Sequence, residues 1–162
     1  MDFEVAQTAR SKRDLYDQLA LQMSSLLAGE RDLIANAANF SSLIFHSLPD
    51  LNWAGFYFAK NGELVLGPFQ GQPACVRIKI GQGVCGTSAA KCETVIAADV
   101  HEFPGHIACD SASNSEIVIP LMRDSRLIGV LDLDSPKLTR FDQEDAAGLE
   151  QLVRILLSSV SS

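Results

Sequence analysis

The sequence predicts an α+β domain, in which helices from both ends of the chain cover one face of a central antiparallel sheet. Two amphipathic helical patterns open the chain, strand patterns joined by hairpin signals occupy its middle, and one amphipathic helix closes it. With 162 residues, 47% of them apolar, the chain is long enough for one substantial core and short for two domains. We therefore expect a single domain over residues 1–162.

The helical segments are marked by capping residues and apolar stripes. Ser11 followed by Asp14 is an N-cap signature, and the helix that it opens is expected over residues 11–28. A second apolar stripe covers residues 33–48 and ends before Pro49, which disfavours helix in the residue that precedes it. The terminal helix carries a continuous apolar stripe, formed by Leu149, Leu152, Val153, Leu156 and Val160.

Two hairpins supply the main strands of the predicted sheet. Asn61-Gly62 is the strongest short hairpin signal, and it joins an aromatic strand at 52–59 to a return strand at 63–66. A second hairpin joins strands at 116–122 and 127–134. Antiparallel strands of this kind can bury one face in a core and leave the other face for a different environment.

The segments between the hairpins are shorter and less regular. Residues 76–80 alternate apolar and basic side chains, which predicts a strand with one buried and one solvated face. Gly81-Gln82-Gly83 ends this strand, and residues 84–91 form a short predicted helix, followed by a strand at 94–97. Residues 99–114 form a long loop, and loops of that length in a compact domain are usually functional or mobile.

Charge and hydropathy exclude two classes of partner. Lys and Arg number 13 against 20 Asp and Glu, and the net charge of -7 repels nucleic acid and anionic membranes. The apolar runs are far shorter than the roughly 20 residues that a membrane span needs. The N-terminal residues, Met1-Asp2-Phe3-Glu4, show no signal-peptide pattern, so a cytoplasmic location is expected.

Four cysteines, at positions 75, 85, 92 and 109, are candidates for chemistry, because a reducing compartment argues against a structural disulfide framework. Their spacing is wider than the Cys-x2-Cys knuckles that are typical of structural zinc sites, so no metal is expected. A zinc-stabilised interaction domain remains an alternative, with ligands drawn from Cys75, Cys85, Cys109 and His106.

Two of the cysteines have surroundings that favour a reactive thiol. Cys85 follows Gly81-Gln82-Gly83 at a predicted helix start, where the helix dipole favours the thiolate. Cys109 lies in the long loop, three residues after His106, where an accessible thiol is expected. These arguments do not rank Cys85 above Cys109 as a nucleophile, and either of them can be an inert buried thiol.

Strand alternation separates the aromatic residues of the first hairpin into two groups. Trp53 and Tyr57 share one face of the strand, while Ala54, Phe56 and Phe58 share the other. One of these faces belongs to the core, and an indole and a phenol on the other would suit a pocket for a small ligand with a polarizable methyl group. A second hydrophobic layer beneath a loop explains the same strand equally well.

Carboxylates cluster on the last predicted strand. The alternation places Asp132 and Asp134 on one face together with Ile128 and Val130. Two carboxylates this close raise one another's pKa and favour a shared proton, which suits a general acid or a cation-binding pair. Glu116, at the start of the neighbouring strand, can reach the same region. The alternative is a solvated strand end, which fits Asp134 and Glu116 better than Asp132.

Several longer motifs, taken in order, resemble one known family. The motifs are Asn52-Trp53-Ala54-Gly55-Phe56-Tyr57, Leu66-Gly67-Pro68-Phe69-Gln70-Gly71, Ala74-Cys75, Gly83-Val84-Cys85-Gly86-Thr87, His106-Ile107-Ala108-Cys109, Ser113-Asn114-Ser115-Glu116-Ile117-Val118 and Gly129-Val130-Leu131-Asp132-Leu133-Asp134-Ser135. They resemble the free methionine-R-sulfoxide reductases, which are GAF-domain enzymes. The resemblance implies a GAF-like domain with its core over about 32–160 after an N-terminal helix, and with a ligand pocket on the sheet face away from the helices.

The resemblance also implies roles for individual residues. Cys109 attacks the substrate, Cys75 resolves the oxidised intermediate, and Cys85 is a third redox-active thiol. Trp53 and Tyr57 line the pocket for the methyl group and sulfur of the substrate.

The same resemblance implies that Glu116, Asp132 and Asp134 bind the polar end of the substrate and handle the proton that the sulfoxide requires. It further implies a homodimer that thioredoxin recharges, with no cofactor. Cys92 matches none of the motifs and has no implied role. The main alternative is a GAF module that senses a small molecule without enzymatic activity, since fold alone does not separate the two.

Overall fold

The computed structural model describes residues 11–106 and 112–161, so Cys109 lies outside the described residues. Its helices are α1 (Lys12–Leu27), α2 (Leu33–Ser47), α3 (Gly83–Lys91) and α4 (Gln143–Ser159). Its strands are β1 (Trp53–Lys60), β2 (Glu63–Gly71), β3 (Arg77–Lys79), β4 (Val95–Ala97), β5 (Ser115–Arg123) and β6 (Arg126–Ser135). These strands form one antiparallel sheet in the order β3-β2-β1-β6-β5-β4, which confirms the predicted α+β class.

The helix boundaries follow the capping residues. The hydroxyl of Ser11 accepts a hydrogen bond from the backbone N–H of Asp14 at 3.1 Å and so opens α1. Asp142 and Asp145 form a reciprocal capping box at the start of α4. The Tyr16 hydroxyl of α1 donates to the Asp145 carboxylate at 2.7 Å, which joins the first and last helices.

The sheet separates two apolar clusters, and this separation positions the functional site. The larger cluster packs α1, α2 and α4 against the sheet face that carries Phe56 and Phe58. The smaller cluster lies on the opposite face and contains Trp53 and Tyr57 together with buried residues of α3. The predicted division of the aromatic residues of β1 between two faces is therefore confirmed.

The alternation predicted for β6 is wrong at two residues. Ile128 was expected on the face of Val130 and Asp132, but it packs against the helix-side cluster instead. Leu127, which the same alternation puts on the opposite face, packs against the smaller cluster. The cause is an irregular register in the β5–β6 pair, where Leu121 pairs with Gly129 while Met122 pairs with Leu127. A bulge of this kind adds one unpaired residue and turns its side chain to the other face.

The strand predicted over residues 76–80 is shorter than its pattern suggests. Only Ile78 is buried, while the side chains of Val76 and Ile80 are 59% and 39% exposed. β3 pairs with β2 alone at the edge of the sheet, and its pairing covers only three residues. The side chains of Val76 and Ile80 are therefore not covered, although the carbonyl oxygen of Val76 still accepts a hydrogen bond from the N–H of Leu66 on β2 at 2.9 Å.

Candidate active site

A cavity of about 50 Å³ opens on the sheet face that lies away from α1, α2 and α4. Its floor comes from β1, β5 and β6, and the start of α3 forms one wall. The structure brings together in its lining six of the eight residues selected from the sequence, namely Trp53, Tyr57, Cys85, Glu116, Asp132 and Asp134. Of the remaining two, Cys75 directly follows the lining residue Ala74, and Cys109 lies outside the described residues.

The apolar wall of the cavity is a stack of aromatic rings. Trp53 lies between Tyr57 and Phe69, with ring centroids 5.9 Å and 5.2 Å away, and both pairs are stacked. The indole N–H of Trp53 donates to the backbone carbonyl oxygen of Gln72 at 3.1 Å. The hydroxyl of Tyr57 donates to the backbone carbonyl oxygen of Cys75 at 2.8 Å. The rings therefore form the wall, while their polar tips hold the segment 72–75 in place.

The three carboxylic acids converge because β5 and β6 are paired side by side. Glu116 is directly opposite Asp134, and Val118 is opposite Asp132. The residues Asp132 and Asp134 are only 5% and 9% exposed, while Glu116 is half-buried. The interpretation of Asp134 as a solvated strand end is therefore wrong, because β6 continues to Ser135 and remains covered.

Burial and crowding raise the pKa of two of these acids. Burial raises the pKa of Asp132 well above its usual value, and the charge of Asp134 raises it further. Burial also raises the pKa of Glu116, with Asp132 as the next cause. The cavity therefore contains carboxyl groups that keep their protons to a higher pH than ordinary carboxyl groups do, beside an apolar wall.

The thiol of Cys85 is part of this acidic cluster. Its Sγ donates to a carboxylate oxygen of Glu116 over 3.8 Å, and the side chain is buried. Burial, followed by the charges of Asp132 and Glu116, raises the pKa of the Cys85 thiol well above its usual value. The expectation that the helix dipole favours a thiolate at Cys85 is therefore wrong, because burial and the neighbouring carboxylates raise the pKa by more than the dipole lowers it.

The other cysteines differ from Cys85 in their surroundings. Cys75 is disulfide-bonded and half-buried, whereas Cys85 and Cys92 are free thiols. Cys92 is exposed and ends α3 in a left-handed conformation, with a φ of 53°. Among the described residues, the set of donors close enough for a metal ion is Cys85, Glu116 and Asp132.

The sequence did not reveal that the start of α3 would face the cavity. Gln82, Gly83 and Val84 line it, and the N-cap residue Gln82 makes no side-chain capping bond. Backbone N–H groups at an uncapped helix start can receive an anion. Gly81-Gln82-Gly83 followed by a helical pattern predicted the helix start and its dipole, but that pattern does not show which part of the sheet the helix start faces.

The fold and the cavity define the class of the protein. Residues 36–157 match the GAF domain family, and an antiparallel sheet with helices on one face and a ligand cavity on the other is consistent with that match. Over residues 11–106 and 112–161, no helix combines the length and apolar character that crossing a bilayer requires.

Among proteins with this fold, the chain is similar over nearly its whole length to reductases of one kind. The chain is 52% identical to free methionine-R-sulfoxide reductase of Escherichia coli, over 88% of this chain and 87% of that protein. It is 43% identical to the enzyme of the same name from Saccharomyces cerevisiae, with 92% and 87% covered. The crystal structure of the Neisseria meningitidis enzyme in complex with its substrate superposes with a TM-score of 0.89, at 46% identity and with 92% and 90% covered. The chain belongs to the free methionine-R-sulfoxide reductases, which are oxidoreductases built on a GAF domain.

Proposed function

We propose that this chain reduces free L-methionine-R-sulfoxide to methionine in the cavity on the open face of the sheet. The observation that carries the proposal is the placement of half-buried Glu116 and buried Asp132, both with a raised pKa, beside the stacked rings of Trp53 and Tyr57. Sulfoxide reduction needs both features, because the methyl group requires an apolar wall and the departing oxygen requires a proton.

The proposed binding mode uses three walls of the cavity. Trp53 and Tyr57 contact the methyl group and the sulfur, and the acidic wall pairs with the ammonium group. The backbone N–H groups at the start of α3, near Gly83 and Val84, receive the carboxylate. A ligand with free amino and carboxyl groups fills all three walls, whereas a peptide-bound residue has neither group free.

The proposed reaction begins at Cys109, whose thiolate attacks the sulfoxide sulfur. The residues His106 and Ser113, on either side of Cys109 in the chain, line the cavity, which supports a nucleophile within reach of the substrate. The sulfur–oxygen bond breaks, the oxygen is transferred to the thiol, and methionine leaves together with a sulfenic acid on Cys109. Asp132 or Glu116 supplies the proton that the oxygen requires, with Asp134 holding the cluster in its shared-proton state.

The second half of the reaction restores the enzyme. The Cys75 thiol condenses with the sulfenic acid, forming a disulfide with Cys109 and releasing water, and the dithiol of thioredoxin then reduces that disulfide by exchange. The disulfide-bonded state of Cys75 supports its role as the resolving residue, and the protonated, buried state of Cys85 disfavours it for that role. Cys85 is then a third redox-active thiol, which takes part in disulfide exchange only after the Cys75–Cys109 disulfide has formed. We further propose that the enzyme works as a homodimer in the cytoplasm.

The defining experiment compares four substrates under dithiothreitol: the R and S diastereomers of free methionine sulfoxide and both diastereomers within a peptide. We expect turnover of the free R form and about 10²-fold or more lower kcat/KM for the other three, because they leave cavity groups unpaired. Activity on the peptide without activity on the free R form would contradict the proposal. Binding without turnover of any form would instead support a sensor module.

Replacement of Cys75 by serine separates attack from recycling. In a single-turnover experiment, Cys75→Ser should still convert about one equivalent of substrate per site, since attack and oxygen loss require only Cys109 and an acid. Turnover with thioredoxin should fall by roughly 10²-fold or more, and a sulfenic acid should be trapped by a dimedone-type reagent. The matched control is Cys85→Ser, and collapse of thioredoxin turnover in this control, with normal cycling of Cys75→Ser, would assign the resolving role to Cys85.

A further inference from the structure

Three side chains from three elements of the fold converge at the acidic wall of the cavity. The Sγ of Cys85 on α3, a carboxylate oxygen of Glu116 on β5 and one of Asp132 on β6 all lie within 4.8 Å of one another. The distance from the Cys85 Sγ to the nearer Glu116 oxygen is 3.8 Å. In a tetrahedral zinc site with metal–sulfur and metal–oxygen bonds of about 2.3 and 2.1 Å, a sulfur and an oxygen are about 3.6 Å apart.

An independent observation shows that this wall has an unused acceptor. The Oδ1 atom of Asp132 has no hydrogen-bond partner, although the residue is only 5% exposed. An unsatisfied buried carboxylate oxygen is costly, and a ligand that supplies positive charge removes that cost. Among the described residues that line the cavity, no lysine or arginine supplies such a charge.

We propose that Cys85, Glu116 and Asp132 form a binding site for a thiophilic divalent cation, with Zn²⁺ as the best match. Three protein ligands with the fourth position open to water are the arrangement of zinc sites that keep an exchangeable ligand. The cation displaces the proton of the thiol and any proton on the carboxyl groups, and these protons pass to solvent. The sulfur ligand selects Zn²⁺, Co²⁺ and Cd²⁺ over Mg²⁺ and Ca²⁺, which prefer oxygen ligands alone.

The site has a consequence for catalysis that rests on the proposed function. Glu116 and Asp132 cannot hold the cation and deliver a proton to the sulfoxide at the same time. The ion and the substrate therefore compete, and Zn²⁺ acts as a reversible inhibitor of the reductase. The binding of the ion itself does not depend on any activity, so it is tested directly.

Cobalt substitution gives a readout that reports the sulfur ligand. The experiment uses the full chain in the form with Cys75 disulfide-bonded and with Cys92→Ser, which removes the exposed thiol. Titration with Co²⁺ should produce a near-ultraviolet thiolate-to-cobalt band and intense visible bands typical of four-coordinate cobalt. Zn²⁺ should abolish these bands stoichiometrically, whereas Mg²⁺ in excess should leave them unchanged.

Variants then assign the ligands. Cys85→Ala should remove the thiolate band, and Asp132→Asn, which keeps the thiol, should weaken Co²⁺ binding by at least about tenfold while the circular dichroism spectrum is unchanged. His101→Gln is the matched control, because this exposed imidazole is outside the cavity lining and removal should leave the titration unchanged. A thiolate band that survives Cys85→Ala would overturn the proposal, as would cobalt binding without any thiolate band. Loss of sulfoxide reduction with normal cobalt binding would overturn the proposed function alone.

Discussion

Cys109→Ser is expected to lose sulfoxide reduction by roughly 10³-fold or more, in both single-turnover and steady-state assays. A serine hydroxyl is far less acidic than a thiol, so at neutral pH it supplies almost no anion to attack the sulfoxide sulfur. Substrate should still bind, because the groups proposed to recognise it belong to the cavity wall and not to residue 109. Isothermal titration with free methionine-R-sulfoxide therefore separates lost chemistry from lost binding.

Cys92→Ser is the matched control for this result. Cys92 is a free, exposed thiol at the end of α3 and does not line the cavity, so its replacement should leave kcat/KM within about twofold of the unmodified chain. Near-normal activity of Cys109→Ser would transfer the nucleophile role to another thiol, with Cys85 the first to test because it lines the cavity.

Asp132→Asn should lower kcat by roughly 10²-fold, the usual contribution of one positioned general acid. Burial, together with Asp134, holds the pKa of Asp132 well above its usual value, so the carboxyl group is protonated over part of the working pH range. A proton donor acts only while protonated, and activity of the unmodified chain should therefore fall as pH rises through this raised pKa. The amide has no such titration, so the alkaline fall in kcat should shrink or disappear in the variant when kcat is measured as a function of pH.

The substitution Asp132→Asn, which should lower kcat, should raise the free energy of unfolding. Between the ordinary carboxyl pKa and the raised pKa of folded Asp132, the unfolded chain loses a proton that the folded chain retains, so stability falls as pH rises. Asp132→Asn removes this loss. The free energy of unfolding of the variant, relative to that of the unmodified chain, should therefore rise by about 1.4 kcal/mol for each pH unit between the ordinary and the raised carboxyl pKa. The gain should be complete above the raised pKa and absent in acid, below the ordinary carboxyl pKa.

Asp124→Asn provides the comparison for both effects. Asp124 is exposed in the β5–β6 turn, where its left-handed φ of 51° suits asparagine equally well. Neither kcat nor the pH dependence of unfolding should change in this control. An unchanged pH profile of kcat in Asp132→Asn would show that Asp132 binds without donating, and Glu116 would become the leading acid.

The sequence was sufficient to predict most of the fold because each element carries its own local signal. The cap at Ser11, the hairpin turn at Asn61-Gly62 and the alternation at Trp53 and Tyr57 all depend on neighbouring residues. These signals need no knowledge of the remainder of the chain. Ile128 was misplaced because its orientation is set by the pairing register with β5, which no local pattern encodes.

The site was predicted less completely, because its chemistry depends on burial and not on spacing. Alternation placed Asp132 and Asp134 on one face, but it did not show that both acids are covered. The predicted helix start favoured a thiolate at Cys85 and left a buried, inert thiol as the alternative, whereas burial and then the carboxylates of two strands distant in sequence raise its pKa. The cluster that Cys85 forms with Glu116 and Asp132 spans three elements, so no cysteine spacing could indicate it.

Trp53 and Tyr57 each serve two parts of the molecule, since their rings form the cavity wall while their N–H and O–H groups hold the backbone of residues 72–75. Any change at these positions that altered substrate preference would also loosen the segment that carries Cys75. Under the proposed roles, substrate preference and the recycling of the oxidised enzyme therefore depend on the same two side chains. New specificity is more accessible from the start of α3, where Gln82 lines the cavity and its side chain makes no capping bond.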